Sequence, residues 1–134
     1  MKIIKKGYKQ TEFGVIPEDW EETSVGKIVK ITTGNRNTQD KDDNGKYPFF
    51  VRSDKIEHIN TFSYDGEGVL TAGDGVGTGK VFHYINGKFD YHQRVYLMSK
   101  FEKVIGKYFY WYFSNYFFDR VSIHSLPSIY CTAA

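Results

Sequence analysis

Residues 34–46 read GNRNTQDKDDNGK and contain no hydrophobic side chain. A stretch so dense in Asn, Asp and Gly is turn chemistry, and with nothing apolar to bury it must be a long loop held by its flanks. Loops of this length in a compact domain are commonly functional. The scaffold has to come from the rest of the 134 residues, which is about the length of one domain. The expectation is therefore a single domain over residues 1–134 with a basic, mobile N-terminus over residues 1–7.

The flanks read mainly as short strands. Residues 8–20, YKQTEFGVIPEDW, form an ordered, extended opening segment, because Gly14 and Pro17 deny a regular helix while Phe13, Ile16 and Trp20 supply anchors. Thr23 or Ser24 is placed to cap a short helical turn, and residues 27–33 alternate well enough for a strand. Residues 47–51, YPFFV, suit a buried strand. Residues 65–68, DGEG, read as a turn, with extended structure resuming at 69–72. Residues 73–79 place four glycines at alternate positions, where backbone adopts positive φ or approaches another chain closely. Residues 81–85 then lead into Asn86-Gly87, a type I′ hairpin signal, and residues 88–98 return. The period changes over residues 104–120, where Ile105, Tyr108 or Phe109, Tyr112 and Tyr116 share a helical face that Trp111 and Phe113 widen. The fold class is α+β: a small mixed or antiparallel sheet with long loops and a C-terminal aromatic-rich helix.

Several chemistries are disfavoured. The glycine string ends in Gly79-Lys80, but a phosphate loop needs glycine where Asp74 stands and Ser or Thr where Val81 stands, and a hairpin follows where a helix is required. The dinucleotide fingerprint fails at Thr78 or Lys80 in its two registers. His58, His83, His92 and His124 lack metal-ligand spacing, and no Ser or Cys sits in a nucleophile elbow. Asp40, Asp42 and Asp43 suggest a calcium loop, yet Val51 occupies the position of the bidentate Glu, so a solvated acidic turn is the better reading. No active site, metal or cofactor is expected. Cys131 is alone, which excludes an internal disulfide and suits a reducing cytoplasm. No apolar run is long enough to span a bilayer, so no membrane is expected as a partner.

What remains is a set of basic and polar groups on glycine-rich or polar loops. Asn35, Arg36, Lys41 and Lys46 lie on the first loop, Arg52 follows the apolar run, Lys80 closes the glycine string, Lys88 lies near the expected hairpin tip and Arg94 beyond it. Lys and Arg pair with phosphates, Arg also grips guanine O6 and N7, and Asn35 or Gln39 suits adenine. Charge is only +2, so any polyanion must be held by local patches and not by the whole field. The bland reading is that single lysines merely solubilise the surface. Likewise Tyr91 suits the core at least as well as stacking on DNA, and the aromatic run is more often a packed helix than a platform.

Residues 8–20 closely resemble the opening motif of type I restriction-modification specificity subunits, Y-K-x-T-E-I-G-x-I-P-x-D-W. Residues 47–52, 69–81 and 87–96 resemble the central sheet of the same target-recognition domain, and residues 126–129, LPSI, its late segment, so the likeness covers about residues 8–130. The resemblance implies a non-catalytic domain that reads one half of a split site in double-stranded DNA, while partner methyltransferase and restriction subunits modify adenine and cleave. The chain also lacks the [DNS]-P-P-[YFW] tetrapeptide of adenine methyltransferases. It stops at Ala134, before the expected end of the domain and before any heptad-patterned spacer helix, so a truncated domain is expected, with methyltransferase docking in question. The rival classes are a protein interaction module built on the aromatic helix, marked by an exposed aromatic patch without a basic face, and an enzyme, which a metal-dependent cleavage assay would expose.

Overall fold

A computed structural model describes residues 3–11, 14–75, 77–116 and 128–132. The opening segment forms two short antiparallel strands, β1 (Tyr8–Thr11) and β2 (Gly14–Pro17), with Tyr8 opposite Pro17. Strand β3 (Trp20–Ser24) follows, and a 3-10 turn at Val25–Lys27 leads to β4 (Lys30–Thr33). The expected strand over 27–33 is thus shorter. Ser24 does occupy the N-cap position of the turn, but its side chain makes no capping hydrogen bond.

The remaining strands are β5 (Tyr47–Phe50), β6 (Glu57–Ile59), β7 (Tyr64–Ala72), β8 (Phe82–Tyr91), β9 (Val95–Ser99) and β10 (Ser128–Thr132). Five of these join β4 in one six-stranded sheet in the order β4-β9-β7-β8-β5-β6, all antiparallel except the β5/β8 pair. β10 pairs with β3 instead, Ser128 opposite Ser24. The α+β class and the mixed sheet are as the sequence implied.

Period-2 alternation divides the core. Val69 and Met98 point to one face, where Val25, Ile28, Val29 and Ile129 meet Phe109, Tyr112 and Phe113 of the single described helix, α1 (Gly106–Tyr116). Their neighbours Leu70 and Leu97 point to the other face, against Phe50, Phe89, Tyr91 and Val95. The aromatic run is therefore mostly core. Helix α1 starts two residues later than its periodicity suggested, and residues 117–120 of the expected helix lie outside the described residues. The Glu67 carboxylate, which accepts the Tyr84 hydroxyl proton, occupies the space that a Cβ on Gly106 would fill. An anion at the first turn suits the unpaired amides there.

Two expected turns are absent. Asn86-Gly87 does not reverse the chain; β8 continues through it, with Asn86 opposite Glu67 and Gly87 opposite Gly66. A type I′ turn needs positive φ at both central residues, and Asn86 has none. The expected turn at residues 65–68 is likewise interior to β7, and the reversal between β7 and β8 is made by residues 73–81. What the glycines provide is a bend. Phe89 pairs with Tyr64 and Val95 with Ala72, yet residues 89 to 95 reach roughly 20 Å at most, whereas a straight β7 is roughly 27 Å long. The β7/β8 ribbon must fold over, and Gly66 and Gly87, cross-strand partners with φ of 154° and 159°, are the pair that permits it. As a result the end of β8 returns to β4, where the Tyr91 hydroxyl lies 2.9 Å from Thr32 Oγ1.

Candidate nucleic-acid interface

The rolled sheet gathers the polar connections around the end of β8. At their base is Asp90, wholly buried between Phe89 and Tyr91 in sequence. A buried carboxylate has to be fully hydrogen-bonded, and this one accepts four donors. Arg36 Nε (3.1 Å) and Thr61 Oγ1 (2.7 Å) reach Oδ2, while Ser63 Oγ (2.8 Å) and the Tyr91 amide (3.0 Å) reach Oδ1. One side chain thus ties the long polar loop and the segment before β7 to the sheet.

The rest of the long loop is organised by its own polar groups. The Gln93 amide donates to the Arg36 carbonyl at 2.9 Å, and Gln93 Nε2 donates to Asn37 Oδ1 at 2.6 Å. Asp40 accepts the Asn37 amide across a 3-10 turn, Thr38–Asp40. Asp42 accepts the Asn44 amide at 2.9 Å and Asn60 Nδ2 at 2.6 Å. The acidic turn is therefore partly a set of internal caps, with Asp43 left exposed.

A second carboxylate organises the neighbouring rim. Asp74 opens the glycine-rich connection and accepts Arg52 Nη1 at 2.7 Å, with Arg94 Nη1 3.8 Å from its other oxygen. All three remain accessible, their side chains 46%, 43% and 63% exposed for Arg52, Asp74 and Arg94. The hydrogen bond from Arg52 is the main reason the Asp74 carboxyl titrates below the ordinary carboxylate range. Three backbone contacts fix the triad. The Gly73 amide donates to the Arg94 carbonyl (2.8 Å), the Arg94 amide donates to His92 Nδ1 (2.9 Å), and Gly77 lies so close under the Arg52 carbonyl that a Cβ would come within 2.4 Å of it. His92 is buried, which together with Arg52 holds its pKa below the ordinary value. Thr33, Gly73, Asp74, Gln93, Arg94 and Tyr96 line an open cleft of about 260 Å³ here.

The sequence candidates fall into four groups. Arg36, Arg52 and Arg94 are brought together around His92. Their own acceptors, however, are protein carboxylates, so Arg36, 39% exposed, has its Nε committed to Asp90. Lys41 is paired with Glu57 at 3.4 Å and lies with exposed Lys46 on the far part of the long loop, over β6. Asn35 and Lys80 are exposed. Lys88 is not near a hairpin tip but midway along β8, opposite Asp65, its Nζ 5.1 Å from the centroid of Phe62, an exposed ring. Among the described residues, Lys46, Lys80 and Lys88 make no ion pair within 4 Å. Sequence reasoning missed Asp74, Asp90, Asn37, Gln93, Thr61 and Ser63. For Asp90 a signal existed, since an Asp flanked by Phe89 and Tyr91 in a strand has to be buried with partners or break the strand. Among the described residues, no three His, Cys, Asp or Glu side chains converge to hold a metal ion.

The fold is shared with solved specificity subunits. The S subunit of a type I restriction-modification system from M. genitalium superimposes with a TM-score of 0.64 at 12% identity, over 85% of this chain and 34% of that one. The HsdS subunit from Thermoanaerobacter tengcongensis gives 0.62 at 10% identity, over 95% of this chain and 36% of that one. In sequence, the specificity subunit of the type I restriction enzyme EcoDI from Escherichia coli is 34% identical over 86 residues, which are 64% of this chain and 19% of that protein. The type I restriction modification DNA specificity domain matches residues 17–126, and the chain belongs to that family. The resemblance carried by the opening motif and the sheet segments is thereby borne out. The chain spans about a fifth of the length of its curated relative and about a third of each solved chain.

Proposed function

We propose that this chain is a single, non-catalytic recognition domain that reads one half of a bipartite double-stranded DNA site. In this reading it acts in the cytoplasm and directs the methyltransferase and restriction subunits of a type I restriction-modification system. The observation that carries the reading is the convergence of Arg52 and Arg94 on Asp74, with Arg94 lining an open cleft and both arginines on connections held through Gly73 and Gly77. Rigid placement is what base reading needs, because a bidentate Arg-guanine contact discriminates only when its plane is fixed. Lys46, Lys80 and Lys88 serve phosphates around it, with Lys41, Asn35 and the outer part of Arg36 at the margin. An interaction module built on α1 is less well supported, since Phe109, Tyr112 and Phe113 are buried in the core.

The test is selection of duplexes from a random pool by the full chain, followed by sequencing. Enrichment of a defined half-site is expected. Arg94→Ala should weaken binding to that half-site by roughly five- to 150-fold, the loss of about 1–3 kcal/mol that goes with one base contact, with the folded state intact. A pool recovered without enrichment, or undiminished affinity in the variant, would overturn the reading or the residue respectively.

A further inference from the structure

The triad has a feature that affinity alone would not produce. A carboxylate beside two arginines subtracts from attraction to phosphates, yet Asp74 is set between Arg52 and Arg94 by fixed backbone on both sides. Its oxygens lie 2.7 and 3.8 Å from their guanidinium nitrogens. We propose that Asp74 is a specificity-determining residue: it occupies the two guanidiniums until aligned acceptors on the matching duplex replace it, and so suppresses attachment to DNA of other sequences. This rests on the DNA reading above.

The argument is one of competition. An exposed ion pair has little net strength, so well-aligned base acceptors and phosphates at the matching site displace the carboxylate readily. Phosphates that meet the cleft in no fixed register offer no such alignment. They must compete with an acceptor already in place while also facing its negative charge. Non-specific binding is nearly all electrostatic, so it is the part most reduced. The local charge fits this. Asp74 faces Arg52, Arg94 and the neutral ring of His92, and the Asp90 carboxylate lies at the base of the same end with Arg36 on it.

Asp74→Asn keeps the shape and removes the charge. With the full chain, the selected half-site and a scrambled duplex of equal length, the variant is expected to bind the scrambled duplex about tenfold more tightly. Its affinity for the half-site should change less than threefold, and the salt dependence on the scrambled duplex should steepen by about one to two units. The rise should shrink when Arg52 and Arg94 are both replaced by Ala, because the effect runs through them. Thermal midpoints of all variants verify folding. An unchanged ratio of the two affinities, a loss confined to the half-site, or an equal rise without the arginines overturns this role for Asp74. If the unmodified chain discriminates between the duplexes in any of those cases, the DNA reading stands. If it retains no duplex at all, both fall.

Discussion

Two aspartates, each bound to arginine, do different work. Asp90 is wholly buried and accepts four hydrogen bonds from three segments, whereas Asp74 is 43% exposed and its partners still face solvent. The contrast follows from dielectric. Removing a partner from a desolvated charge leaves it stranded, while removing one from an exposed charge lets water take its place. The first carboxylate therefore belongs to the architecture of the interface and the second to its surface chemistry.

The largest way to break this comparison is Asp90→Ala. It leaves Arg36 Nε, Thr61 and Ser63 without their acceptor beneath the loops, and a buried donor left unsatisfied costs about 1–3 kcal/mol. A correspondingly lower urea midpoint is expected. Arg36→Ala should also destabilise, but less, because Thr61, Ser63 and the Tyr91 amide remain on the carboxylate. Arg52→Ala, by contrast, should move stability by about 0–1 kcal/mol. Equal effects of Asp90→Ala and Arg52→Ala would erase the distinction.

That distinction also explains what was legible in the sequence. Helix α1 follows from local periodicity, because its apolar side chains meet one core through the helical repeat. Strand β5 was legible as an apolar run although Phe49 and Phe50 pack into different clusters, whereas the strand expected over 88–98 is divided between the end of β8 and β9. Asn86-Gly87 misled because a local turn preference was set against eight residue pairs with β7, and the long-range ladder prevailed. Its glycine was needed for a bend opposite Gly66, a requirement that exists only once the partner strand is known. The candidate cations were legible as residue types on loops. Their grouping was not, since Arg52, Asp74 and Arg94 come from three connections that meet only when the ribbon folds over.

A middle-sized effect comes from pH. Asp74 is held ionised below the ordinary carboxylate range by Arg52, so mild acid leaves it charged. His92 and His83 are different, because burial first, and for His92 then Arg52, lowers both pKa values from the ordinary 6.5. The unfolded chain takes up protons at these positions near pH 6.5 while the folded chain does not. Stability is thus fully present above pH 6.5 and declines as the pH falls below it. Urea midpoints at pH 7 and pH 5 check this, with the lower midpoint expected at pH 5. His92→Asn, which retains an acceptor for the Arg94 amide, should reduce the decline. A midpoint that does not fall between those pH values would mean that His92 is not held neutral beneath the arginines.

The smallest effect tests where Lys88 belongs. It sits opposite Asp65 without forming an ion pair, and its ammonium lies over the Phe62 ring, which in turn meets Tyr47 edge-on at 5.1 Å. An exposed cation–π contact is worth about 0.5–1 kcal/mol, so Lys88→Ala should scarcely move the urea midpoint. If the ammonium also reaches a phosphate, duplex affinity falls a few-fold for every sequence alike and the salt dependence flattens by about one unit. Unchanged salt dependence would remove Lys88 from the interface. A loss of more than about 1 kcal/mol in stability would instead place it with Asp90, as a residue whose charge shapes the segment holding Phe62.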